Sequence, residues 1–178
     1  MNPLEPAEFQ RRARALKWLL TDVDGVLTDG RMFYGPDGEA LKVFHARDGL
    51  GLKMLQRAGL RVGLLSARGG GAVERRAREL GLDVLLLKKK DKLAAFRAFL
   101  EEHRATAREV AFIGDDLPDL TVLAVCGLAF CPADAALPVR ETADVILRLP
   151  GGRGAVREAA EKILVARDSL EGIYAHYR

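Results

Sequence analysis

Short apolar runs recur along the chain, and helical patterns fill the gaps between them. The runs are Lys17–Thr21, Arg61–Ser66, Asp83–Leu87, Val110–Gly114, Leu128–Cys131 and Asp144–Leu147. They are continuous rather than alternating, as strands buried on both faces require. Between them, Gly49–Ala58 carries Leu50, Met54, Leu55 and Ala58 near helical spacing. Gly71–Leu80 turns Val73, Ala77 and Leu80 inward, and Lys92–Glu102 gathers Leu93, Phe96, Phe99 and Leu100 on one side. Leu117–Val125 reads as a shorter helix and Gly154–Ser169 as a long one. Gly59, Gly81 and Gly127 follow helices, where a left-handed cap favours glycine. The alternation predicts an α/β fold, a doubly wound parallel sheet with helices on both faces.

One segment departs from this pattern. Arg31–His45 has aromatic and apolar residues on either side of Gly35-Pro36-Asp37-Gly38. That is a β-hairpin signature with a tight turn. The chain of 178 residues fits a single domain, 1–178. The protruding hairpin occupies about residues 30–44 and a C-terminal helix and tail about 154–178. No internal repeat or low-complexity linker interrupts it.

Composition narrows the function. The net charge is +3, the basic residues are dispersed and aromatics are 6% of the chain. A nucleic-acid partner would require a concentrated basic face, so none is expected. No stretch of about 18 apolar residues exists, so no membrane span is expected. Glu5, Glu8, Arg11, Arg12 and Arg14 precede any apolar run, which argues against a signal peptide. Cys126 and Cys131 lack metal-site spacing and read as buried free thiols. A cytoplasmic location is the expectation.

In open parallel sheets, ligands bind at the carboxyl ends of the strands. Asp22 and Asp24 follow the first run, and Ser66 and Arg68 follow the second. Lys92 lies past a short loop after the third. Asp115, Asp116 and Asp119 follow the fourth. Carboxylates crowd together only around a compensating cation, and oxygen-only donors favour a hard ion such as Mg2+. Asp22 and Asp24 are two apart on an extended chain and share a face. One carboxylate can attack phosphorus while the other exchanges a proton with the ester oxygen. Lys92 and Ser66 would hold the phosphoryl oxygens with help from backbone amides. A phosphorelay receiver has similar chemistry, but its acceptor aspartate follows the third strand, where this chain has Leu87-Lys88-Lys89. Lys88-Lys89-Lys90, His103 and His176 read as solvated surface groups.

These residues resemble the haloacid dehalogenase superfamily of phosphatases. The match is Asp22–Val26, Ser66, Lys92 and Gly114–Asp119. The resemblance implies a Rossmann-like fold and a phospho-aspartyl intermediate on Asp22. It implies acid and base work by Asp24, with Mg2+ held by Asp22, the Asp24 backbone carbonyl and Asp115. Asp116 and Asp119 would support them. Longer stretches are similar to the 3-deoxy-D-manno-octulosonate 8-phosphate phosphatase family, which serves lipopolysaccharide precursor synthesis. They are Phe44–Gly51, Ser66–Arg68, Val73–Arg76 and Gly151–Glu158, within a resemblance spanning about residues 16 to 167. It implies that Asp24, His45, Ala46, Arg47, Asp48, Gly49, Lys53, Arg68, Arg76 and Lys92 line the substrate site.

Spacing bears on specificity. Between Asp22 and Ser66 there is room for one hairpin and one helix, and between Ser66 and Lys92 for one helix and one strand. No cap domain fits. The family resemblance implies a homotetramer in which each hairpin covers a neighbour's site. Met32, Phe33, Tyr34, Val43 and Phe44 would otherwise form an apolar patch. The family usually has Asn at His45, often Arg at Lys53, and Thr-Gly at Ser66-Ala67. Related nonulosonate 9-phosphate phosphatases tend to carry Glu at Arg68, so Arg68 favours the eight-carbon substrate. Arg47, Lys53, Arg68 and Arg76 suit a substrate bearing a carboxylate and a phosphate. Two further readings remain: a phosphatase for a nonulosonate 9-phosphate, and a non-catalytic tetramerisation module.

Overall fold

The computed structural model describes residues 4–178. Helix α1 (Pro6–Ala15) leads into β1 (Trp18–Thr21), and β2 (Phe33–Gly35) and β3 (Gly38–Leu41) form the hairpin. Then follow α2 (Ala46–Arg57), β4 (Arg61–Leu65), α3 (Gly71–Leu80), β5 (Val84–Leu86) and α4 (Lys92–Glu102). The rest is β6 (Val110–Ile113), α5 (Leu120–Leu123), β7 (Leu128–Cys131), α6 (Leu137–Thr142), β8 (Val145–Ile146), α7 (Ala155–Ala166) and α8 (Leu170–Ala175). The main sheet is six-stranded in the order β5-β4-β1-β6-β7-β8, and every pairing in it is parallel. The chain runs from β1 outward to β5, then returns to the other side of β1 to begin β6. That reversal opens a crevice at the carboxyl end of β1. Thr21 pairs with both Leu64 and Ile113, so the loops bearing Asp22, Ser66 and Asp115 leave the sheet nearly level.

The two sheet faces bury alternate residues of each strand, as a period of two requires. Leu19, Val62, Leu64, Ala111, Ile113, Leu128 and Phe130 pack with α1, α2, α3, α7 and α8. Trp18, Leu20, Leu65, Val110, Phe112, Ala129 and Cys131 pack with α4, α5 and α6. Both faces are therefore apolar, which is why the strands read as unbroken runs.

Several boundaries differ from expectation. Helices α1, α6 and α8 have no counterpart in the sequence reading. Helix α1 docks through Arg12, whose Nη1 donates to Asp144 at 3.1 Å. Arg167 Nη1 caps it, donating to the carbonyls of Ala13, Arg14 and Leu16. The helix expected over Gly154–Ser169 ends at Ala166, and Asp168 turns left-handed with φ 55 before α8. The helix expected over Leu117–Val125 begins as a 3-10 turn, Leu117–Asp119. Gly59 and Gly81 have the positive φ of caps, but Gly127 does not. It is required instead by close approach: a Cβ there would sit 2.2 Å from the Arg108 carbonyl oxygen. His103 is only half exposed; its ring packs 4.8 Å from those of Trp18 and Phe99. Both cysteines are free, and burial pushes the Cys126 thiol up to about 12 and Cys131 up to about 11. Neither is a reactive thiolate.

Helices α2 and α7 meet closely because Gly51 has no side chain; a Cβ would lie 2.8 Å from Arg157 Cα. Asp48 fixes the junction. Its carboxylate is fully buried and accepts from the amides of Gly154 (3.1 Å) and Arg157 (2.8 Å) at the start of α7. Replacing Asp48 by Ala strands those amides, which costs about 2 kcal/mol. The melting temperature should fall by roughly 5 °C, and Asp48→Asn, which keeps an acceptor, should lose less. Equal melting of Asp48→Ala and the parent would contradict this role.

Candidate active site

At the carboxyl end of β1 the backbone turns sharply. The amides of Val26, Leu27 and Thr28 all donate to the Val23 carbonyl, and Gly25 is left-handed with φ 85. The turn brings this loop against the loop after β6. A Cβ on Gly25 would lie 2.0 Å from Asp115 Oδ2, so only glycine fits there. The C-terminal loop backs the same turn. Gly152 N donates to the Val26 carbonyl at 2.9 Å, and a Cβ on Gly151 would collide with the Gly25 carbonyl at 1.8 Å. The glycines before α7 thus press on the loop that carries Asp22 and Asp24.

A cleft of about 240 Å3 opens here. Asp22, Asp24, Ser66, Arg68, Lys92, Asp115, Asp116 and Asp119 all line it, as do Gly30, Met32 and Pro118. The structure brings together every carboxylate that the strand-end pattern singled out, together with the lysine and the serine hydroxyl. Carboxylate oxygens of Asp22, Asp115 and Asp119 lie within 4.8 Å of one another. Lys92, at the first turn of α4, is buried between two of them, with Nζ 3.0 Å from Asp22 Oδ2 and 2.5 Å from Asp119 Oδ1. Asp119 also accepts from the amides of Asp115 (3.0 Å) and Asp116 (3.3 Å). Asp119 is therefore a fully used support for Lys92 and the Asp115 loop. Asp116 caps the 3-10 turn by accepting from Leu117 N at 2.8 Å. Ser66 Oγ accepts from Arg68 N at 3.3 Å.

The electrostatics follow from crowding. Burial, with the nearby Asp119 charge, pushes the Asp22 carboxyl up to about 6 against the pull of Lys92. Burial also pushes Asp115 up to about 8, with Asp22, Asp119 and Asp116 adding to it. Burial works against the Lys92 ammonium, yet Asp22 and Asp119 outweigh it and hold its pKa above the usual range. Asp22 Oδ1 and Asp115 Oδ1 are buried without any hydrogen-bond partner. Two unpaired anionic oxygens beside a third carboxylate fit a hard divalent cation.

Other expected site residues lie outside this cleft. His45 is the N-cap of α2, its Nδ1 accepting from Arg47 N at 3.3 Å. Ala46 and Arg47 are exposed at the start of that helix. Asp48 anchors α7. Gly49 makes room for Arg76, since a Cβ there would meet the Arg76 guanidinium at 2.3 Å. Arg76 pairs with Glu79 at 3.5 Å, and Lys53 Nζ donates to the Leu80 carbonyl at 3.3 Å. In a single chain these groups knit α2, α3 and α7 together. Conversely, Glu39 and Lys42 of the hairpin reach the cleft without having been singled out: Lys42 Nζ donates to Asp24 Oδ1. A larger cavity of about 820 Å3 lies between α1, β8 and α7, but none of the strand-end carboxylates lines it.

Comparison with known proteins gives the same picture. No protein-family model matches the chain. It is 43% identical over 159 residues to the 3-deoxy-D-manno-octulosonate 8-phosphate phosphatase of Haemophilus influenzae, covering 89% of this chain and 88% of that protein. The chain belongs to the 3-deoxy-D-manno-octulosonate 8-phosphate phosphatase family. The solved structure of the family enzyme from Moraxella catarrhalis, in complex with magnesium ion, phosphate ion and KDO, superposes with TM-score 0.94. It is 33% identical and covers 98% of this chain and 100% of that one. A HAD superfamily (subfamily III A) hydrolase from Legionella pneumophila superposes with TM-score 0.91 at 37% identity, covering 96% and 94%. The haloacid dehalogenase fold expected from the strand-end motifs is thus the fold of this family member. No helix among the described residues is long and apolar enough to cross a membrane.

Raised carboxylate pKa values have a stability consequence. Between the ordinary 3.8 and about 8, folded Asp115 holds a proton that the unfolded chain releases. The metal-free protein therefore loses stability as pH rises through that window. In EDTA, the melting temperature should be lower near about pH 8 than near about pH 5, and Mg2+ should raise it more at the higher pH. Stability that climbs with pH in EDTA would contradict the crowded-carboxylate picture.

Proposed function

We propose that this chain hydrolyses 3-deoxy-D-manno-octulosonate 8-phosphate to the free sugar acid and phosphate, through a phospho-aspartyl intermediate on Asp22. The observation that carries the reading is the convergence of Asp22, Asp115 and Asp119 oxygens within 4.8 Å beside Lys92. The family relatives support the substrate. Asp22, the Asp24 backbone carbonyl and Asp115 would hold a Mg2+ ion, which when bound neutralises negative charge on the phosphoryl group and the carboxylates.

The chain's own residues divide the work. An Asp22 carboxylate oxygen attacks phosphorus as the ester bond breaks, and Asp24 gives its proton to the departing sugar oxygen. Asp24, now a carboxylate, takes a proton from water as that water attacks the phospho-aspartate, freeing phosphate and restoring Asp22. Lys92 and the Ser66 hydroxyl hold phosphoryl oxygens, and Asp119 fixes Lys92. Arg68 offers a guanidinium to the substrate's carboxylate. The cysteine thiols fit a reducing cytoplasm, and the free sugar acid would feed lipopolysaccharide precursor synthesis.

The cleft is open, and the hairpin exposes Phe33, Leu41 and Val43, with Met32 at the cleft edge and Tyr34 reaching Arg68. That apolar face supports a homotetramer in which neighbouring hairpins close the sites. His45, Arg47, Lys53 and Arg76 reach substrate only where a neighbouring subunit brings a cleft to them.

Phosphate release from the octulosonate phosphate should require Mg2+ and vanish in EDTA. Asp22→Asn should abolish it, a loss of more than about 10³-fold, while leaving the oligomer intact. Retained turnover would sink the nucleophile assignment, whereas no phosphate release from the parent protein would leave the tetramerisation module as the reading. A nonulosonate 9-phosphate with the higher kcat/KM would overturn the eight-carbon assignment. Light scattering should give a tetramer, and Phe33→Asp should break it and lower kcat/KM.

A further inference from the structure

The hairpin does more than protrude, because two of its charged side chains turn back onto the cleft of their own chain. Lys42 Nζ donates to Asp24 Oδ1 and meets Glu39 Oε1 at 2.5 Å. Glu39 Oε2 accepts from Arg68 Nη2 at 3.0 Å. Arg68 Nε lies 3.5 Å from Asp24 Oδ2, and Nη2 also reaches the Tyr34 hydroxyl at 3.2 Å. Asp24, Lys42, Glu39 and Arg68 thus close a ring of alternating charge. The ring joins the loop after β1, the hairpin, and the loop after β4.

The links of this ring are unequal. Asp24 Oδ2, Glu39 Oε1 and Arg68 Nε make ion-pair contacts without the geometry of hydrogen bonds. Among the described residues, Lys42 supplies the directed hydrogen bond to the Asp24 carboxylate. The Lys42 side chain is only 3% exposed. Burying an ammonium is costly unless partners compensate it. Here Asp24 and Glu39 outweigh the burial and keep the ammonium pKa above its usual range. Arg68 remains 38% exposed on its outer side, where an arriving anion can meet it.

We propose that Lys42 is a positioning residue for Asp24: with Glu39 and Arg68 it fixes the Asp24 carboxyl toward the leaving oxygen, and the hairpin of the same chain delivers it. The inference rests on Asp24 being the acid and base of the proposed reaction. In the first half-reaction the bond from Asp22 to phosphorus forms, the ester P–O bond breaks, and the proton of Asp24 goes to the departing oxygen. A sugar alkoxide leaves slowly without that proton, whereas p-nitrophenolate leaves as an anion. Misplacing Asp24 therefore harms the sugar phosphate selectively, while a general loosening of the fold harms both substrates alike.

The experiment compares kcat/KM, which covers the chain of events up to leaving-group departure, for the octulosonate phosphate and p-nitrophenyl phosphate. Lys42→Met should lose about 10²-fold on the sugar phosphate, and its loss on the aryl phosphate should be at least about tenfold smaller. Lys42→Arg should recover most of the difference. Equal losses on both substrates, or no loss on either, would overturn the proposal. Should Lys42→Met not fold, Glu39→Gln opens the same ring at its next link and is judged by the same comparison. Mixed oligomers of Lys42→Met and Asp22→Asn subunits should show no recovery, because Lys42 serves its own chain; recovered sugar-phosphate turnover would overturn delivery within one chain. Asp22→Asn should lose both substrates whichever way Lys42 behaves, so a failure of the nucleophile reading is separable from a failure of this one.

Discussion

Like charge held at short range is the constraint around which the molecule is organised. Three carboxylate oxygens within 4.8 Å repel one another, and burial removes the water that would screen them. Lys92 offsets part of this, lying between Asp22 and Asp119. It does not offset all of it, since Asp115 is still pushed up to about 8. The remaining imbalance is what gives the site affinity for a divalent cation, and through it for a phosphate that would otherwise be repelled. Stability is spent locally so that charge can be bound later, a common arrangement at sites of phosphoryl transfer.

Holding such a cluster demands rigid support, and the sheet provides it. The central strand β1 is hydrogen-bonded on both sides and buried on both faces. Its loop is braced from three directions. The Asp22 amide donates to the Ile113 carbonyl at 2.9 Å, Asp115 presses on Gly25, and Gly151-Gly152 presses from behind. The glycine-rich stretch before α7 therefore belongs to the site mechanically while contributing no side chain to it. Asp48 ties that stretch to α2 by accepting from the amides of Gly154 and Arg157.

What was legible in the sequence follows the same physics. Strands buried on both faces write themselves as apolar runs, and the residues just after them must be the ligand-facing ones. Asp22, Ser66 and Asp115 follow such runs closely and Lys92 follows one loop later, and all four line the same cleft. Helix α1 was not legible, because Phe9 and Ala13 are its few inward residues among arginines, and its docking depends on Asp144 and Arg167 far along the chain. The partial burial of Glu39 and Lys42 was equally hidden. As sequence they are charges on a hairpin, and only the ring with Asp24 and Arg68 compensates their partial burial. His103 misled for a related reason: its place is set by packing on Trp18 and Phe99, not by polarity.

The hairpin shows how a domain without a cap can still control its cleft. Its Glu39 and Lys42 side chains meet Asp24 and Arg68, while Phe33, Leu41 and Val43 are exposed. Glu39 turns inward from the hairpin's second strand, and Lys42 does so just beyond that strand's end, where strict alternation no longer holds. One hairpin therefore fixes the Asp24 carboxylate of its own chain while leaving Phe33, Leu41 and Val43 exposed. A second copy covering the exposed face would also hold the charged ring on the hairpin's other side.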